Sequence, residues 1–564
     1  MLTLILGTGC SRHDATPRPD GRRDASATVR SISAVADSAM VVSASPLATD
    51  VGVTLLRSGG NAIDAAVGVA FALAVAYPTA GNIGGGGLML ARMNGQAVAL
   101  DFREVAPLKA TRDMYLDAAG RVTGRSVTGA LAVGVPGSVA GLWAAHQKFG
   151  VLPWRTVVQP AIDLAEQGFA VDRAFLEDVS ANIPRLSPAS AAIFAPGGHP
   201  VARGARWKNP DLGRTLRRIA DRGAPGFYDG ETAAQIVAEM QRSGGIISRE
   251  DLRRYVPKWR TPVAFTYRGH TVLTMPPVSS GGLTFALMAG VLGGYDLRAM
   301  GWHSPDAIHV MAEAERLAYQ RRNTLLADPD FVRIPMAPFL SPDTAAALRR
   351  SISMASHTAT AVAPDPVRGR HTTHFSVVDR QGNAVSLTTT LNTGYGSAVT
   401  VTGAGFLLNN EMDDFTAKPG VLNAMGLRQG EANAIAPGKR MLSSMTPTIV
   451  LDSAGATYLV VGAAGGARII TAVAQIVSNV VDYGMPIGEA LLAPRFHAQD
   501  YPDTLELSAT GYPDSTVRAL RARGHPVSRP TDPWAFGWAQ AILRSGGRWH
   551  GATEPLGNGR AAGY

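Results

Sequence analysis

The chain has 564 residues, 46% hydrophobic and only 17% charged; this excludes a disordered chain and predicts a core large enough for two or more packed layers. Its formal net charge of +9 is spread along the sequence, with no basic block interleaved with aromatics, so nucleic acid is not an expected partner. Cys10 is the only cysteine, which rules out an intrachain disulfide or a thiolate metal site.

The first residues, MLTLILGTGCSRHD, form a short apolar run that ends in small residues before Cys10. This pattern is similar to the end of a bacterial lipoprotein export signal, and a plain secretory signal is the alternative. Residues 1–30 are therefore expected to be an export signal and linker, with a periplasmic or secreted location and a lipid anchor at Cys10 as one outcome. A helix is predicted from Pro46 to Arg57, with Ser45 placed to cap it and Pro46 in its first turn. The apolar stretch Ala62 to Tyr77 is shorter than the roughly 20 residues of a bilayer span. It carries Asp64 and follows a Ser58-Gly59-Gly60-Asn61 start signal, so it reads as a buried core helix. Gly84 to Gly87 open the strand LMLARM, and Asn94-Gly95 turns it into AVALDF, a hairpin signature.

Residues 130–360 alternate helical segments with Pro/Gly breaks, and Pro276 to Gly282 mark a sharp loop between a strand and a helix. The stretch 352–371 is small, polar and proline-containing, which predicts an exposed segment. It runs straight into a strand from Thr372 to Val378, a turn at Asp379 to Asn383, and a second strand from Ala384 to Asn392. Composition and pattern thus mix helix and strand in one compact chain.

A hairpin symmetric about Gln381 sets Thr372 directly opposite Thr390, and Asn392 projects from the same face by strand alternation. The bland reading of Thr388-Thr389-Thr390 is that threonine is a good strand former. A threonine hydroxyl needs a base to act as a nucleophile. An N-terminal threonine carries one, an α-amino group of pKa about 7.7–8.0.

HTTHFSVVDRQGNAVSLTTTLNTGYGS, followed by GFLLNNEMDDFTAKPG, closely resembles the small-subunit start of the γ-glutamyltranspeptidase family. DFREVAP at 101–107, KRMLSSMTPTIV at 439–450, GAAGGARI at 462–469 and APRFH at 493–497 extend the resemblance over nearly the whole chain. It implies an α+β fold, the four-layer αββα sandwich of the N-terminal-nucleophile (Ntn) hydrolases. It also implies self-cleavage between His371 and Thr372 into a large subunit (31–371 after the leader) and a small subunit (372–564), held together as a heterodimer. By the same resemblance Thr372 is the nucleophile, Thr390 its support, and the backbone N–H groups of Gly465 and Gly466 the oxyanion hole.

Arg103 matches the arginine that grips the substrate α-carboxylate, aided by Ser443 and Ser444. Asn392, Glu411 and Asp414 match the groups that receive the α-ammonium. The implied reaction is transfer of a γ-glutamyl group from glutathione or another γ-glutamyl amide to water, an amino acid or a peptide, with no cofactor and no metal. Taken singly, Arg103-Glu104 also reads as a surface pair, Asp413-Asp414 as a solvated turn and Ser443-Ser444 as a loop.

A glutaryl or cephalosporin acylase on the same scaffold is the nearest alternative, and a non-catalytic exported binding protein a more distant one. Gly84 to Gly87 lack the features of a phosphate loop and suggest tight packing near the site. His371 and His374 face opposite sides of a strand and so make no metal pair; His497 reads as structural. Met425 stands near the place where many members of the family carry an aromatic lid residue, leaving the exclusion of water open.

Overall fold

The computed structural model describes residues 32–360 and 372–564. Cys10, the expected leader and His371 lie outside the described residues. Two antiparallel seven-stranded sheets dominate the molecule. The sheet that carries the site runs in the spatial order Arg560–Gly563, Met40–Ser43, Thr372–Val378, Ala384–Thr390, Gly86–Met93, Gln96–Phe102 and Lys258–Arg260. The other runs Ser33–Ala36, Arg548–Thr553, Trp538–Ser545, Thr457–Ala464, Thr448–Leu451, His270–Thr274 and Val263–Tyr267. Helix and strand are thus both abundant and the class is α+β.

The two central strands, TTHFSVV and AVSLTTT, are rich in β-branched residues and buried along their whole length. Burial on both faces follows from what each face meets. Phe375, Val377, Val385 and Leu387 point outward into one apolar cluster with Ile63, Val67 and Phe71 of the helix Ala62–Ala76. Residues of the other parity point at the second sheet. The Ser386 hydroxyl donates to Val461 O at 3.0 Å and accepts the Thr448 N–H at 3.0 Å, which staples sheet to sheet. Helices Gly281–Leu292 and Ile469–Val481 cover that second sheet. By the two-residue period, Thr372 and Thr390 share the inter-sheet face with Ser376 and Ser386.

The helix Ala62–Ala76 is the buried core helix expected from its sequence, every residue of it being buried. Asn61 caps Ile63 N and Asp64 N, and Asp64 returns the contact to Asn61 N at 2.9 Å, a reciprocal cap. This N-terminus also locks the hairpin that begins at Thr372. The Asp379 carboxylate accepts the N–H groups of Gln381 and Asn383 at one oxygen and of Ala62 at the other, each at 3.0 Å. One carboxylate therefore fixes both the hairpin turn and its seat on the helix, where negative charge is favoured.

Both sheets draw strands from either side of residue 372. The position 371/372 is therefore not a fold boundary: each piece alone would hold two incomplete sheets. Within the exposed stretch before it, the described residues 353–356 are exposed, while Ile352 is buried and His357 half-buried.

Removing the inter-sheet staple has a defined cost. Ser386→Ala leaves the buried Thr448 N–H without its acceptor, and the denaturation midpoint is expected to fall by the equivalent of about 1–3 kcal/mol. Chemical denaturation followed by tryptophan fluorescence checks this; an unchanged midpoint contradicts the staple.

Candidate active site

Thr372 pairs with Thr390 in the register of the symmetric hairpin, and their hydroxyl oxygens lie 3.3 Å apart. The second strand ends at Thr390, two residues before Asn392, so strand alternation does not carry Asn392. Asn392 instead takes a left-handed backbone with φ of 75°. It still turns back on the threonine pair: its N–H donates to the Thr390 hydroxyl at 2.8 Å, and its amide donates to Asn410 O at 3.0 Å. A hydroxyl that accepts such a bond is polarised as a donor toward a neighbouring oxygen.

Arg103 follows directly on the strand Gln96–Phe102 and is buried. Its guanidinium bonds Glu411 through one nitrogen and Asp414 through another, while Nε donates to Met441 O at 3.3 Å. Glu411 and Asp414 lie on the short 3-10 turn Glu411–Asp414, buried throughout. The surface-pair and solvated-turn readings of these residues are thus both excluded. Asp413 points the other way, accepting from the Ser126 hydroxyl at 2.7 Å and Ala424 N at 2.9 Å; burial pushes its pKa up to about 6.

Burial raises the Glu411 and Asp414 carboxyls above their ordinary range, against the pull of Arg103. Burial alone would depress Arg103, but Glu411 and Asp414 hold it above its usual value, so it stays charged. Glu104 sits 3.8 Å from Arg103 with neither carboxyl oxygen hydrogen-bonded, and burial pushes it up to about 7. Burial thus pushes all three carboxyls toward their neutral forms, Arg103 opposes this in each, and Arg103 itself stays charged.

Ser443 and Ser444 come from an extended segment held to the loop before the helix Gly281–Leu292. Ser280 donates its N–H and its hydroxyl to Ser443 O at 2.7 and 2.6 Å. The Ser444 hydroxyl accepts from Arg322 at 3.1 Å, and Arg322 also donates to the Ser280 hydroxyl at 3.0 Å. Arg322 lies on the helix Pro305–Leu325 and is fully buried, which pushes its pKa down to about 10. Sequence reasoning missed it, because nothing local separates it from its neighbours Arg321 and Arg316; only the tertiary fold aims it at Ser444.

Gly465 and Gly466 form the entry to the helix Ile469–Val481 through the short turn Gly466–Arg468. Both have positive φ, 136° and 58°, and a Cβ on Gly466 would stand 2.9 Å from Met425 Sδ. Met425, almost fully buried, therefore packs directly on the backbone expected to form the oxyanion hole. Every sequence-predicted residue within the described chain except Gly465 lines one cavity, shared with Met425 and Leu427. The free space is about 20 Å³, room for about one water.

The decoys resolve simply. Gly85 is packed so closely that a Cβ would meet Thr390 O at 2.2 Å. His374 is bonded to the Thr388 and Ser376 hydroxyls at 2.9 and 3.1 Å, and burial pushes it down to about 3. His497 bonds Thr471 and Gln499 at 2.9 and 3.0 Å.

A hydroxyl pair at a strand start, facing paired buried charges beneath a packed loop, is the arrangement of an α+β enzyme site. The sequence comparisons narrow that class. The γ-glutamyltranspeptidase profile matches residues 48–564, and the chain belongs to this family. It is 45% identical over 526 residues to the glutathione hydrolase proenzyme of Escherichia coli (strain K12), covering 92% of this chain and 90% of that one. It is 38% identical to the acylase ACY 1 proenzyme of Pseudomonas sp. (strain V22), covering 89% of each. Its fold is similar to the crystal structure of cephalosporin acylase from Bacillus halodurans, with a TM-score of 0.84 at 28% identity over 98% of this chain and 99% of that one.

The neutral Glu104 gives a pH signature. Its folded pKa is raised above the unfolded value, so its contribution to stability is fully present below about pH 4.5 and is lost as pH rises through about 7. Glu104→Gln removes this term. The fall in melting temperature between pH 4.5 and 7.5 is expected to be smaller in the variant than in the wild type, as differential scanning fluorimetry would show; parallel curves contradict a neutral Glu104.

Proposed function

We propose that the chain is a γ-glutamyl hydrolase and transferase of the Ntn type, activated by its own cleavage between His371 and Thr372. The observation that carries this reading is the Thr372–Thr390 hydroxyl pair at the first residue of a buried strand. In the precursor, Thr372 Oγ1 attacks the carbonyl of the preceding peptide bond. The C–N bond breaks, leaving an ester on Oγ1 and a free Thr372 α-amino group that takes the hydroxyl proton; water then hydrolyses the ester, releasing the Thr372 hydroxyl and the His371 carboxylate. That amine then takes the hydroxyl proton as Thr372 attacks the γ-carbonyl of a substrate such as glutathione, and gives it to the departing amine. Gly465 and Gly466 N–H groups receive the developing oxyanion. Water, an amino acid or a peptide takes the glutamyl group in the second step. An exported heterodimer of residues 31–371 and 372–564, with a lipid anchor at Cys10 as one form, completes the proposal.

Substrate choice follows from the charged wall. Arg103, Ser443 and Ser444 would hold the α-carboxylate, and Asn392, Glu411 and Asp414 the α-ammonium. An incoming zwitterion replaces the two internal ion pairs of Arg103: its carboxylate takes Arg103, and its ammonium takes the Glu411 and Asp414 carboxylates so released. The acylase reading draws on the fold similarity and on the more distant acylase relative. A glutaryl group brings no ammonium, and it would leave the Glu411–Asp414 pair without a role in binding.

The two readings separate on paired substrates. With γ-glutamyl- and glutaryl-p-nitroanilide, kcat/KM is expected to favour the glutamyl compound. Asp414→Asn should lower that preference by about 10- to 100-fold, the worth of a charge-assisted contact. Faster glutaryl turnover by the wild type contradicts the proposal.

A further inference from the structure

A second cluster of titratable side chains lies outside the threonine cavity and takes no part in the chemistry above. The helix Pro305–Leu325 contributes His309 and Glu313, the segment leading toward residue 360 contributes His357, and the chain beyond the helix Asp514–Ala522 contributes His525. Single ligand atoms of Glu313, His357 and His525 lie within 4.8 Å of one another. Glu313 and His525 are buried, and His357 is half-buried.

The hydrogen bonds fix where the lone pairs are. His309 Nε2 faces Ser353 O at 2.8 Å, and a carbonyl only accepts, so this nitrogen carries the proton. In neutral His309 the other nitrogen, Nδ1, then accepts from His525 Nε2–H, 2.8 Å away. His525 is left with its lone pair on Nδ1. His357 Nε2 donates to Asp503 at 2.9 Å, while its Nδ1 stands 3.0 Å from a Glu313 carboxylate oxygen. The other oxygen of Glu313 accepts from Arg316 at 2.8 Å, which orients the carboxylate without occupying the first oxygen's face toward His357.

This is the pattern of a coordination site. Two ligands on one tetrahedral ion, each about 2.0–2.1 Å from it, stand roughly 3.3 Å apart, close to the present Glu313–His357 separation. Each imidazole has its remote N–H held by a fixed acceptor, Asp503 for His357 and His309 for His525, the outer-shell support that metal-bound histidines need. Two imidazoles and one carboxylate suit an ion of intermediate softness, and they suit neither the all-oxygen shell of calcium or magnesium nor the thiolates of copper(I).

We propose that Glu313, His357 and His525 bind one divalent transition-metal ion of the zinc class, which clasps the chain before residue 360 to the C-terminal region. The His357 Nδ1–H bond is exchanged for a bond from Nδ1 to the metal, and the proton leaves to solvent; no redox step is involved. The ion is structural, because none of its ligands lines the threonine cavity. It joins segments that would lie on different subunits after cleavage, in addition to the bonds of Thr360 to Asp503 and Asp500.

The test uses the full-length, tag-free protein stripped with a chelator and dialysed. Titrated Co²⁺ is expected to give a visible ligand-field absorption that saturates at about one equivalent and is displaced by Zn²⁺. His525→Ala and His357→Ala should lose the site by more than tenfold in affinity, and Asp503→Asn should weaken it about 10- to 100-fold. Turnover by the folded variants should match wild type. A wild-type protein that takes up no Co²⁺ with a saturating spectrum overturns the proposal and leaves the cluster a hydrogen-bonded clasp only. Uptake retained in both histidine variants overturns it too. If those variants fail to fold, the wild-type cobalt spectrum decides alone.

Discussion

Every contact in the catalytic cavity depends on the antiparallel register between the strands Thr372–Val378 and Ala384–Thr390. A slip of one residue would turn Thr372 from the inter-sheet face to the helix side, because side chains alternate strictly along a strand. Three things hold that register. The Asp379 carboxylate ties the turn to the helix Ala62–Ala76. Phe375 and Leu387 fill the apolar layer outside, and Ser386 binds the second sheet inside. The Thr372 end of the hairpin is thus held because its far end and both its faces are fixed, which is what the proposed nucleophile requires.

The second constraint is charge. The cavity buries charges of both signs, and isolated buried charges are costly. The protein answers with internal pairing: Arg103 bridges Glu411 and Asp414, Glu104 is held toward its neutral form, and Arg322 binds the hydroxyls of Ser444 and Ser280. The walls of the cavity pack against one another, leaving little free space. On the proposed function, binding is an exchange of partners within this buried network, and its specificity lies in whether the newcomer can replace both halves of a pair.

Much of this was legible in the sequence, unevenly. The hairpin, its register and the buried helix after Asn61 follow from local periodicity, turn chemistry and capping, all of which act over a few residues. The convergence of Arg103, Glu411, Asp414 and Ser444 was not visible that way, since residues up to some 340 positions apart meet only through the tertiary fold; the family motifs supplied it. Asn392 reaches the site through a left-handed turn rather than by strand alternation, and no local signal in Leu391-Asn392-Thr393 announces it. Arg322 and the histidine cluster around Glu313 were invisible for the same reason: an arginine on a helix and three separated histidines carry no pattern until the chain is folded.

The central claim is that Thr372 both cuts the chain and carries the acyl group, and intact-mass spectrometry under denaturing conditions tests it directly. The wild type is expected to yield two chains, the second starting at Thr372, while Thr372→Ala stays one chain and is inactive. A wild-type protein that remains uncut yet turns over γ-glutamyl substrates, or a Thr372→Ala variant that is cut at the same place, would contradict the account.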